Sequence, residues 1–175
     1  VTPDEVGAEY GADTRRLYEM AMGPLDVSRP WDTRAVVGQD RLLQRLWRNV
    51  VDEETGEVTV VDTEPTEDTL RALHKAIDGV GQDREGMRFN TAIDKITELN
   101  NHLTKAGGPL SRSVAERLVL LIAPLAPHIA EELWRRLGHT ESVVHQDFPV
   151  ADPAYVVDET VTCVVQIKGK VRARL

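Results

Sequence analysis

The chain has a single cysteine among 175 residues, only 5% aromatic residues, and no run approaching the roughly 18 apolar residues of a membrane span. Cys163 alone can form neither an internal disulfide nor a zinc-ligand set, so nothing points to an oxidising compartment. The opening segment from Val1 to Glu5 has neither a basic stretch nor an apolar one of the kind that begins a secretory signal, and a cytoplasmic protein is expected. Catalytic signatures are missing too: there is no glycine-rich phosphate loop, no Gly-x-Ser-x-Gly, no His-Glu-x-x-His and no Cys-x-x-Cys. No catalytic, cofactor-binding or metal-ligating residue is therefore expected.

Charge is present in quantity but unevenly placed. The formal net charge is −8, which taken alone argues against a nucleic-acid partner. Between Asp52 and Asp68, however, there are eight acidic residues and no Lys or Arg, so that segment accounts for the whole imbalance. The rest of the chain is neutral and can carry a local basic track.

Apolar spacing predicts a mainly helical chain. Thr2-Pro3 with Glu5 forms a capping box for a short helix to about Tyr10, and Asp13 or Thr14 starts a second one, stopped by Gly23-Pro24. From Asp32 to Val51, residues Leu43, Leu46, Trp47, Val50 and Val51 recur at spacings of three and four. Further helices are expected from Thr66 to about Val80, weakened at the end by Gly79, Gly81 and Gly86, then from Arg88 or Asn90 to Gly107, and from Ser111 onward. Pro124 and Pro127 split the last stretch, with Pro127 as the first residue of a final helix carried by Ile129 to Leu137 and stopped at Gly138. The expectation is an up-down helical bundle with a short C-terminal β-hairpin. The acidic segment could hold a small hairpin at Thr55-Gly56, but a loose excursion is the preferred reading.

Two basic groups stand out. At 100° per residue, Arg34, Arg41, Arg45 and Arg48 fall in a narrow band opposite the apolar face of their helix. Such a stripe is ordinarily a solvated face; its functional reading is a track for phosphates, which suits guanidinium geometry and the lack of acids on that face. The second group is Lys168, Lys170, Arg172 and Arg174, four charges within seven residues at the end of a strand–turn–strand pattern. Val161, Cys163, Val165 and Ile167 would share a face before the turn, and Val171, Ala173 and Leu175 would continue it. A hairpin needs further strands or a packed partner, so the chain is expected to be a piece of something larger. Trp31 and Trp47 read as core or interface anchors, and Glu131 and Glu132 as a solvated edge and a core-flanking contact. None of the five histidines has ligand spacing.

Several segments, taken in order, resemble a known family. The stretch from Val1 to Tyr18 looks like the segment immediately after the Lys-Met-Ser-Lys-Ser loop in class I aminoacyl-tRNA synthetases. Met22-Gly-Pro-Leu-Asp26 with Pro30-Trp-Asp32, then Arg41 to Arg48, Phe89 to Ile93 and Ala123 to Trp134, are similar to their helical anticodon-binding domain. Val165 to Arg172 resembles the start of the C-terminal domain of bacterial-type leucyl enzymes, although Lys168-Gly169 replaces the usual Asn-Gly turn, Ala173 replaces a glycine, and the acidic segment after Val51 is a departure.

The resemblance implies post-catalytic linker helices over 1–31, a helical anticodon-binding bundle over 32–150 and the start of a C-terminal domain over 151–175. It implies a parent leucine–tRNA ligase that uses ATP and Mg, with leucine-specific tRNA and the catalytic domain of the same parent as partners, and neither DNA nor membrane. The signature loops of catalysis are absent here, so the chain by itself is expected to be inactive and to hold no cofactor. Docking of tRNA is expected to use shape and phosphate contacts. The alternatives are the equivalent piece of an isoleucyl or valyl enzyme, and a helical protein-interaction module without RNA.

Overall fold

The computed structural model describes residues 2–157, 164–167 and 170–174, the last two stretches by their backbone. Among the described residues, eight α-helices succeed one another. α1 (Pro3–Tyr10) has the expected box: Thr2 Oγ1 accepts from Glu5 N at 3.4 Å and Glu5 Oε2 accepts from Thr2 N at 2.9 Å. Gly11, at φ 83°, turns the chain into α2 (Ala12–Ala21). α3 (Thr33–Arg48) is capped by Asp32, whose carboxylate accepts from Arg34 N at 2.9 Å. α4 (Glu67–Glu85), α5 (Phe89–Ala106), α6 (Arg112–Ile122) and α7 (Pro127–Arg136) come next, then a 3-10 turn over Val143–His145 and a one-turn α8 (Pro153–Val156).

The main core of the bundle is contiguous. Leu17 of α2, Leu42 and Leu46 of α3, Leu73 and Ile77 of α4, Ile93, Ile96 and Leu103 of α5, Leu118, Leu121 and Ile122 of α6 and Leu133 of α7 all meet in it, fully buried. Each such side chain contributes roughly 1.5–3 kcal/mol by leaving water. A second small cluster of Val6, Tyr18 and Val36 fixes α1 to α2 and α3. α4 and α5 lie antiparallel, as the contacts of Lys95 with Asp83 and of His102 with Asp68 show.

Two expectations are corrected. α4 does not fade at its glycines but runs on to Glu85. A Cβ at Gly79 would stand 2.7 Å from Lys95 Cδ and Cε, so the missing side chain is what lets Lys95 cross α4 and reach the buried Asp83. Asp83 also accepts from Arg88 Nε at 2.9 Å. Burial pushes the Asp83 carboxyl up, but hydrogen bonds from Lys95, Thr91 and Arg88 outweigh it and hold the group below its ordinary range.

The acidic segment is no loose excursion either. Val51 bridges Val58 in antiparallel fashion, Thr59 N donates to Val50 O at 2.9 Å, and Gly56 takes φ 71° at the turn. Further on, Val61 N donates to Leu110 O and Arg112 N to Val61 O, both at 2.9 Å. Val58 and Val60 pack against the core, and these apolar anchors decide the matter over the surrounding charge.

At the C-terminal end, β1 (Val164–Ile167) pairs antiparallel with β2 (Lys170–Arg174). A register irregularity between Val165 and Gln166 sets Val171 opposite Gln166. The turn expected at Lys168-Gly169, and with it the hairpin as a closed unit, lies outside the described residues, as do Val161, Cys163 and Leu175.

Candidate nucleic-acid interface

The outer face of α3 presents its arginines where the helical period puts them. Leu42, Leu43 and Leu46 are buried while Arg34 and Arg41 are exposed, and Arg45 is half-buried. Along the axis, Arg34 to Arg41 is about 10 Å and Arg41 to Arg45 about 6 Å. Among the described residues, none hydrogen-bonds to or pairs with the guanidinium of Arg34, Arg41 or Arg45, and Arg45 Nε is buried without an acceptor. Three like charges stand in a row with no described residue of this chain to neutralise them.

Arg48 differs. Its Nε donates to Glu53 Oε1 at 3.1 Å and its Nη2 to Gln44 Oε1 at 3.4 Å. The expectation that no acid reaches this face is thus overturned at its C-terminal end, because the folded acidic turn returns Glu53 to it. Of the second basic group, Lys168 lies outside the described residues, and Lys170, Arg172 and Arg174 are placed on β2 by their backbone.

Most other arginines are used internally. Arg16 donates to the carbonyls of Leu125 at 3.0 Å and Pro124 at 3.2 Å, and Arg112 to Asp62 at 2.9 Å and Leu137 O at 2.8 Å. Arg136 reaches Glu132 at 2.7 Å and Gly56 O at 2.8 Å, and lies over the ring of Trp47. Glu132, which also accepts from Arg135, is held below its ordinary carboxyl range by these two arginines. Glu131 accepts from Ser142 Oγ at 2.8 Å and Val143 N at 3.1 Å, which makes it a tether for the next turn of the chain.

Four of the five histidines have structural partners. His128 Nδ1 meets Asp13 Oδ1 at 2.8 Å, His139 meets Glu116 at 2.9 Å while stacked on Trp134, and His102 faces Asp68 at 3.4 Å. His74 Nδ1 accepts from Asp152 N at 3.0 Å, and its ring stacks on Tyr155. Burial and the nearby Arg117 guanidinium hold its pKa below the ordinary histidine value, against a smaller upward pull from Asp152.

Local sequence makes Asp13 a candidate start for its own helix. Instead it serves α7, accepting from Ile129 N at 2.7 Å and His128 N at 3.3 Å. No local signal could reveal this, since the partners lie more than a hundred positions away. Trp47 packs against the core as expected, whereas Trp31 stays 37% exposed, edge-on to Tyr18.

The profile of the family described as "Anticodon-binding domain of tRNA ligase" matches residues 67–175.

The chain belongs to the anticodon-binding domain family of tRNA ligases.

Over its full length this anticodon-binding domain chain is 93% identical to a segment of the leucine–tRNA ligase of Streptomyces griseus, and 87% identical to one of the Streptomyces avermitilis ligase. It spans 18% of the length of each of these relatives. Among solved structures it is similar to a chain of the ternary complex of Agrobacterium radiobacter K84 agnB2 LeuRS with tRNA and LeuAMS. That likeness has a TM-score of 0.77 and 32% identity, covering 100% of this chain and 24% of the other. α3 precedes the residues matched by the family profile, yet Leu42 and Leu46 join it to the same core.

Proposed function

We propose that this chain is the tRNA-docking part of a longer leucine–tRNA ligase, and that the outer face of α3 tracks the phosphates of a leucine-specific tRNA. The observation that carries the reading is the row Arg34, Arg41 and Arg45, one sign of charge with no partner among the described residues, on a chain whose overall charge is negative. Arg48 shares the face but is engaged by Glu53. Lys168, Lys170, Arg172 and Arg174 supply a second basic segment. Family membership and the tRNA in the similar ternary complex support RNA as the partner. The parent's ATP and Mg would belong to its catalytic part; no residue of this chain is assigned to them. The catalytic domain of the same parent is the expected protein neighbour, in the cytoplasm.

Phosphate contacts release counterions, so this reading predicts steep salt dependence. A filter-binding titration of the chain against a leucine tRNA transcript at about 50 and about 200 mM salt is expected to show an affinity loss of about threefold for each contact made. Arg41→Ala and Arg45→Ala are each expected to flatten that dependence by about one contact. Salt-independent binding, or binding that ignores both substitutions, would favour a protein-interaction module.

A further inference from the structure

The phosphate-tracking reading leaves Arg48 unexplained. It lies in the same band as Arg34, Arg41 and Arg45, so the helix alone would make it a fourth member of the track. It is the one of the four whose guanidinium is taken, by Glu53 at 3.1 Å. An exposed ion pair on a free loop would give way readily to a phosphate, but Glu53 is not on a free loop.

Asp52 and Gly56 on either side of it are fixed. Asp52 N donates to Glu57 O at 2.9 Å, and Gly56 N to Asp52 O at 2.8 Å. The Asp52 carboxylate accepts from Glu54 N at 2.8 Å and Thr55 N at 2.9 Å. Arg136 reaches over from α7 to hold Gly56 O at 2.8 Å. The same turn carries Glu54 and Glu57, both exposed. A phosphate backbone laid along α3 from Arg34 would therefore meet the Glu53 carboxylate at Arg48, one turn past Arg45 and well inside a Debye length of about 8 Å.

We propose that the acidic turn is an electrostatic stop: Glu53 withholds Arg48 from the RNA and ends the phosphate track at Arg45. The turn thereby fixes how much backbone the helix holds and in which register. The proposal rests on the tracking reading, and the experiment separates the two.

The full chain is titrated with a fluorescein-labelled leucine tRNA transcript at about 50 and about 200 mM salt, with circular dichroism confirming that each variant is folded. Glu53→Gln is expected to bind several-fold tighter at the lower salt, and to lose about threefold more affinity than the parent chain across that range, the mark of one added phosphate contact. Glu64→Gln makes the same charge change at an exposed residue with no arginine pair and is expected to leave the salt dependence unaltered. Arg48→Ala alone is expected to change affinity less than about twofold, and in combination with Glu53→Gln to abolish the gain.

The stop is overturned if Glu53→Gln matches Glu64→Gln, or if Arg48→Ala weakens binding as much as Arg41→Ala. If Arg41→Ala and Arg45→Ala are themselves without effect, the track falls and the stop falls with it. The two failures are thus told apart.

Discussion

The joint between α2 and the α6–α7 corner and the outer face of α3 are both built from charged residues on helices, and they are used in opposite ways. At the joint, one turn of α2 offers an anion and a cation to two helix ends of opposite polarity. Asp13 accepts from the free N–H groups at the start of α7, and Arg16 donates to the carbonyls of Pro124 and Leu125 where α6 has just ended. Asp13 meets the partial charge that the α7 N-terminus leaves unsatisfied, and Arg16 the carbonyls of the turn that follows α6. On α3 the charges are of one sign, and three of them meet no described residue. Paired charges at the joint hold the fold together, whereas those three like charges on α3 stand without a partner among the described residues.

Breaking the joint should give the largest change. Asp13→Ala removes three hydrogen bonds, two of them to backbone groups that are part of a helix start, and is expected to cost about 2–3 kcal/mol. Arg16→Ala should cost about 1 kcal/mol by the same route. Thermal melts of both variants test this, and melting temperatures equal to that of the parent chain would erase the distinction between the two regions.

A smaller effect is expected where α8 is tethered to α4 through His74. The neutral ring accepts from the Asp152 N–H, and folding holds its pKa below the ordinary 6.5. As pH falls from 6.5, the unfolded chain therefore takes up the proton first. This contribution to stability is full above that value and is lost as pH drops through the lower folded value. Denaturant midpoints measured above and below it should show the decline, and His74→Phe should flatten it.

The smallest change in stability should come from the stripe. Arg34→Ala and Arg41→Ala are each expected to lie within about 0.5 kcal/mol of the parent chain, since neither side chain holds any described residue. A loss comparable to that of Asp13→Ala would show the stripe to be part of the framework.

Much of the fold is legible in the sequence for definite reasons. Helix starts are written locally, so Thr2 with Glu5, Asp32 and Thr66 are readable and cap the helices expected of them. The arginine band comes from the helical period alone. The destination of a charge whose partner is distant is not legible in this way. Asp13 looks like the cap of its own helix in sequence and caps another in space. Gly79 looks like a helix breaker and is a passage for Lys95.

The sequence by itself determined the helices, their apolar faces and the concentration of negative charge between Asp52 and Asp68, because these depend on residues a few positions apart. Only the tertiary structure decided that the acidic turn folds back on Arg48, that α2 seals the α6–α7 corner, and that three arginines remain without partners among the described residues. Those outcomes depend on which surfaces the core brings together, and backbone periodicity carries no information about that.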